Sequence, residues 1–221
     1  IGKNMVLLGV LGQRREGKKV IRELLDYRLS QTEDTESYTA LLISLKKRGL
    51  SSGSFSIAVH DSEESISRAI KNVYGENKVP EQECLFHKLL NMTKLVIEDK
   101  NAEEIRKDIW SVYSSREIKE YEEREKQVIK KWKDREPEVI RLFAKTNERL
   151  KTKYQFDEMI HKSIHTNNPI ERYFREIRRR IKAIGIFENI DSAERLLFLI
   201  IESINQKRGS SPTNCNLKFT H

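Results

Sequence analysis

The sequence predicts an α/β fold interrupted by an all-helical insertion. Three observations point there. Short apolar runs alternate with helix-like segments as far as His87, and a strand–helix–strand order with short links spans Ser54 to His87. From Lys88 to about Lys153 the chain is then rich in Glu and Lys and poor in Gly and Pro. "NMVLLGVLG" (Asn4–Gly12) is an apolar run closed by glycine and reads as a strand. A polar turn with Gly17 leads to Val20–Ser30, where hairpin-like spacing favours a second, antiparallel strand. A helix follows, with Thr32 or Thr35 as its cap, acids in its first turn, Lys46, Lys47 and Arg48 in its last, and Gly49 as its stop.

"SFSIAVHD" (Ser54–Asp61) reads as a strand ending on an acid. Ser62 caps the next helix, with Ile66, Ile70 and Val73 on one face, and "QECLFH" is a short strand after it. That order predicts a parallel pair joined by a right-handed crossover. The Glu- and Lys-rich stretch should hold two or three amphipathic helices, broken near Pro137 and anchored by Trp110, Tyr113, Tyr121, Trp132 and Phe143. Its mixed charges favour a solvated helical face over a nucleic-acid arm. Pro169 marks a helix start running toward Ala183, Ser192–Ile204 forms a further helix, and the tail from Gly209 is polar and expected to be disordered.

The 221 residues carry a formal net charge of +8, and such a surplus favours a polyanionic partner. Two cysteines, Cys84 and Cys215, make no disulfide framework and fit a reducing compartment. No apolar run is long enough to span a bilayer, and no signal peptide is visible.

Three constellations carry chemical possibilities. Asp61 stands at the carboxyl end of a strand, where open α/β sheets place ligand sites; it suits Mg²⁺, against the plainer reading of a helix N-cap or turn aspartate. In "HTNNPIERYFREIRRR" (His165–Arg180), Ile170, Phe174, Ile177 and Ile181 form a buried stripe, and Glu171, Arg175, Arg178 and Lys182 an adjacent one. Glu171 is then either a metal-binding carboxylate beside phosphate-gripping arginines or half of an i,i+4 pair with Arg175. Cys84 and His87, with His161 and His165, offer four zinc-type ligands, against the plainer reading of a buried cysteine with a bonded histidine.

These motifs, in this order, resemble the catalytic region of mutator-type transposases, the family that includes the IS256-like insertion-sequence enzymes. The matching residues are the strand-ending Asp61, "CLFH" about 25 residues later, the helical block, then "HTNNPIE" with its Arg-rich helix and "IKAIGIFEN". The resemblance runs from about residue 4 to residue 206. It implies an RNase H-like mixed sheet with a helical insertion: residues 1–95 and 165–208 as a partial catalytic core, 96–164 as the insertion and 209–221 as a tail. It implies DDE-type chemistry, in which three acids hold two Mg²⁺ or Mn²⁺ ions for DNA cleavage and strand transfer. Asp61 matches the second acid and Glu171 the third, both as metal ligands. Cys84, His87, Asn167 and Asn168 would support the site. Arg172, Arg175, Arg178, Arg179, Arg180 and Lys182 would meet DNA. The implied partner is double-stranded DNA, with a possible homo-oligomer, no membrane, and a cytoplasmic, nucleoid-associated location.

Two departures accompany the match. Ser62 stands where the family has glycine, and His165 where it has an aromatic residue or threonine. The family's first Asp lies on a strand upstream of Asn4, so the chain is expected to be incompetent alone. With that central strand missing, Asn4–Gly12 and Phe55–His60 are expected to pair directly, or the chain to fold poorly. A non-catalytic DNA-binding or dimerising remnant, or a metal nuclease of the same fold, are the alternatives.

Overall fold

The computed structural model describes residues 5–17, 19–61, 64–157, 161, 164, 168–183, 187 and 189–207, with the backbone alone at 146–148. Its contacts divide into two units: Ile1–Gly49 with Asn168–His221, and Leu50–Asn167.

The first unit is built on a β-ribbon. Strands β1 (Val6–Glu16) and β2 (Lys19–Ser30) pair antiparallel, turning at Gly17, whose φ of 58° is the left-handed value a tight turn requires. The register slips between Val10 and Leu11, so that Leu11 faces Leu24 while Val10 faces Asp26 and Leu25 is the extra residue of a bulge. Helix α1 (Thr35–Lys47) packs against β2, and Arg48 just beyond it ion-pairs with Asp26 at 2.5 Å. Its cap is Asp34, not either threonine: the carboxylate accepts the Ser37 N–H at 2.8 Å. An ionised acceptor at a helix N-terminus gains from the dipole where a hydroxyl does not.

Leu7, Leu11, Leu24, Tyr27 and Leu29 from the ribbon join one apolar cluster with the helices Asn168–Lys182 and Ile190–Lys207. Pro169 and Ser192 therefore lie near the helix starts expected of them.

The second unit pairs β3 (Ala58–His60) and β4 (Glu81–Glu83) in parallel around helix α2 (Glu64–Tyr74). The parallel pair is as the sequence indicates, but each strand has only three residues. Ser62, the expected cap of α2, lies outside the described residues. Among the described residues, helices α3 (Leu85–Thr93), α4 (Ala102–Tyr113), α5 (Ile118–Trp132) and α6 (Pro137–Lys151) follow. The segment read as the strand "QECLFH" thus turns helical after Cys84. Leu85, Leu89 and Met92, spaced by four and three, bury one face of α3, and that periodicity defeats the strand.

Pro137 opens α6 at its first turn, where its missing N–H costs nothing. Tyr113, Tyr121, Trp132 and Phe143 are core residues, each 2% exposed or less. Trp110 is not an anchor. It is 50% exposed, because Ile105, Ile109 and Val112 claim the inner face of α4.

Among the described residues, β1 pairs with β2 and β3 with β4, giving two small sheets in a mixed α/β architecture. The direct pairing of Asn4–Gly12 with Phe55–His60 is absent from these ladders.

Candidate functional site

Asp61 follows β3 directly and is half-buried. The residue before it is fixed from several sides. His60 is 6% exposed, its Nε2 donates to Glu81 Oε2 at 3.0 Å, and its Nδ1 faces the Asp61 carbonyl. The Ser67 hydroxyl of α2 donates to the same Glu81 oxygen. Burial pushes the Glu81 carboxyl up, but the bonds from His60 and Ser67 outweigh it and hold the group below the usual carboxylate range.

The C-x-x-H pair meets the same strand end. Cys84, wholly buried, precedes α3 as its cap residue, and its N–H donates to the His60 carbonyl at 2.6 Å. His87, one turn into α3, places Nδ1 3.3 Å from Cys84 Sγ. Cys84 therefore ties the start of α3 to the residue preceding Asp61. His161 does not extend this pair into a zinc site among the described residues. Its Nε2 donates to the Phe156 carbonyl at 2.9 Å and its ring meets Tyr154 edge-on. His165 and Asn167 lie outside the described residues.

Sequence reasoning missed the buried charge beside this strand end. Glu83, whose side chain is 4% exposed, pairs with Lys88 at 3.0 Å and Arg149 at 3.3 Å. Burial pushes the Lys88 ammonium down while Glu83 pulls it back up. The only signal was the polar "EQE" where a buried parallel strand would ordinarily be apolar.

In the other unit, helix α7 (Asn168–Lys182) carries the acid and the arginines. Asn168 is exposed at its start, and Glu171 is half-buried in its first turn with Oε1 shielded from solvent. The buried centre of the helix is Tyr173 and Ile177, with Phe174 and Ile181 packed partly against the same cluster. The predicted stripe is thus rotated toward Tyr173, a residue left out of it.

Arg172, Arg175, Arg178, Arg179 and Lys182 all lie on the exposed side of α7. Arg180 is different: half-buried, it bonds Glu176 at 3.2 Å and Ser203 at 3.3 Å. Glu176 also takes Arg179 at 2.9 Å, and this double pairing holds its carboxyl low. Arg172, Arg175, Arg178 and Lys182 remain as an outward basic row, whose guanidinium forks suit phosphate oxygens.

A family model described as Transposase, Mutator family, matches residues 3–209. The chain belongs to the Mutator family of transposases. It is 28% identical over 90% of its length to the transposase for insertion sequence element IS905 of Lactococcus lactis, covering 48% of that protein. It is 26% identical over 84% of its length to the transposase for insertion sequence element IS256 in transposon Tn4001, from Staphylococcus aureus and from Enterococcus faecalis, covering 47% of each. The chain spans about half the length of the curated relatives it matches.

The Mutator-family transposase chain offers hard carboxylate oxygens at Asp61 and Glu171, the donor type Mg²⁺ and Mn²⁺ prefer. Among the described residues, however, no three potential ligands from His, Cys, Asp and Glu come together. The donor type fits a divalent metal; the donor number does not complete a site. No described helix is long and apolar enough to cross a membrane.

Proposed function

We propose that this chain is part of the catalytic region of a DNA transposase that cuts and joins phosphodiesters with Mg²⁺ or Mn²⁺. The observation that carries the reading is the family match over residues 3–209, joined to an α7 that presents a basic row one turn from a half-buried acid. In this reading the fold is RNase H-like, with residues 1–95 and 165–208 as core and 96–164 as the helical insertion. Asp61 and Glu171 are the metal-binding carboxylates, and the metal's role is to stabilise charge on the attacking and leaving oxygens.

The chain's own residues do the rest. Arg172, Arg175 and Arg178 hold phosphates by charge-assisted bonds. The His60–Glu81–Ser67 and Cys84–His87 contacts hold the strand end that bears Asp61. Double-stranded DNA is the partner, and an assembly of several copies on paired ends agrees with the family.

The test uses this segment within a protein of its relatives' full length, assayed for Mg²⁺- or Mn²⁺-dependent joining of a labelled element end to target duplex. Asp61→Asn and Glu171→Gln should each reduce joining by about 100-fold or more, the scale of losing a charge-stabilising group. Parent-level joining by both variants would sink the assignment. Hydrolysis without joining would mark a nuclease, and metal-independent duplex binding with no cleavage a DNA-binding remnant.

A further inference from the structure

We infer that Asn205 is a positioning residue for α7, and through that helix for Glu171 and the outward basic row; the inference rests on the functional reading above. Asn205 lies in α8 (Ile190–Lys207) and is 7% exposed. Its Oδ1 accepts the Leu24 N–H at 3.1 Å, and its Nδ2 donates to the Leu24 carbonyl at 3.3 Å. A primary amide presents a donor and an acceptor side by side, as a peptide group does. Asn205 therefore acts toward β2 as one residue of a neighbouring strand would, meeting backbone groups that β1 does not take. Leu24 sits where the register slips, next to the bulged Leu25.

The same Oδ1 accepts a third bond, from the Tyr173 hydroxyl of α7. Tyr173 is wholly buried. One side-chain amide thus joins β2, α7 and α8.

The next residue of α7 fixes the helix a second time. Phe174 lies so close to Gly9 of β1 that a Cβ there would stand 3.1 Å from its ring. Tyr173 by hydrogen bond and Phe174 by contact together set the rotation of α7 about its axis. Glu171, Arg172 and Arg175 flank these two positions, so a roll of α7 would swing all three. Aspartate at 205 would lose the donor to the Leu24 carbonyl, glutamine would be one methylene too long, and alanine would lose all three bonds.

The experiment uses the full 221-residue chain with Tyr173→Phe, Asn205→Ala and Arg175→Ala. Hydrogen exchange along α7, α8 and β2 is measured beside duplex-DNA affinity by fluorescence anisotropy. Tyr173→Phe keeps the packed ring and removes only the tie to Asn205. It should speed exchange in α7 relative to α8 and β2 by about fivefold, the equilibrium worth of one hydrogen bond, and weaken duplex binding by a similar factor. A merely structural bond would speed all three elements alike. Uniform or unchanged exchange in Tyr173→Phe overturns the inference, whatever the DNA result. If Arg175→Ala leaves duplex affinity at the parent level, the DNA reading of α7 fails, and the exchange data still decide the role of Asn205. Should Asn205→Ala fail to fold, Tyr173→Phe alone carries the test.

Discussion

Lys153 shows how closely the interior of the second unit is tied to single polar atoms. It is 3% exposed, in a 3₁₀ turn after α6, and its Nζ donates to the carbonyls of Tyr113 at 2.6 Å and Ser115 at 3.3 Å. Its backbone N–H donates to Gln82 of β4 at 3.0 Å. One lysine thereby meets orphan carbonyls at the end of α4 and the side chain of a buried strand residue. Burial pushes its ammonium down to about 8, with Glu120 pulling weakly upward. Between that value and the ordinary 10.5 the unfolded chain holds a proton that the native state has released. Stability should therefore rise with pH across this window.

Tyr154 and Tyr113 act in the opposite sense: burial raises both hydroxyls above the ordinary 10.0, so the unfolded chain ionises first and stability falls at higher pH. Urea unfolding from pH 7 to 11 should give a stability maximum at about pH 10, and Lys153→Met should flatten the rising limb. At Glu83 the interior is tighter still, since leaving its charge or that of Lys88 unpaired costs on the order of 3–5 kcal/mol.

At the scale of elements, the close approach of α7 to β1 carries the sharpest expectation. Gly9→Ala places a methyl against the Phe174 ring, so either the ring or the helix must give. Overpacking of this kind costs about 1–3 kcal/mol. Thermal melts should show the loss, and Phe174→Leu in the same chain should recover part of it by opening space. Gly12 looks similar in sequence, but a Cβ there would instead stand 2.8 Å from the Leu25 side chain, at the bulge.

The elements themselves were largely legible in the sequence, because their signals are local. The hairpin, the parallel pair, the break at Pro137 and the helix from Pro169 each follow from periodicity or turn chemistry. What was not legible depends on partners distant in the chain. Trp110 looks like an anchor until the opposite face of α4 is known. "QECLFH" looks like a strand until Leu89 and Met92 extend its helical face beyond the motif. Tyr173 was passed over for its isoleucine neighbours because its hydroxyl partner, Asn205, lies 32 residues away. Of the candidate site, Asp61, the C-x-x-H pair and the arginine helix were readable as motifs, whereas the contacts of His60, Glu81 and Glu83 around β3 and β4 follow from no spacing rule.

For the whole molecule, the proposed duplex partner, set against the net charge of +8 and the outward row on α7, predicts a measurable salt response. Each phosphate neutralised contributes about −0.9 to the slope of log affinity against log salt. Arg172→Ala, Arg175→Ala and Arg178→Ala should each make the slope for duplex DNA shallower by about that amount. Arg180→Ala should change the slope little, since Arg180 is already engaged with Glu176 and Ser203.

The bonds between Leu24 and Asn205 join residues 181 positions apart, across the whole of the second unit. On the ribosome, the ribbon emerges long before the helices that cover Leu7, Leu11 and Leu24. The unit spanning Leu50–Asn167 can complete itself during synthesis, while the ribbon must wait with greasy surface uncovered until the helices Asn168–Lys182 and Ile190–Lys207 have been made. Over the synthesis of those 118 intervening residues a nascent copy is a natural client for chaperones.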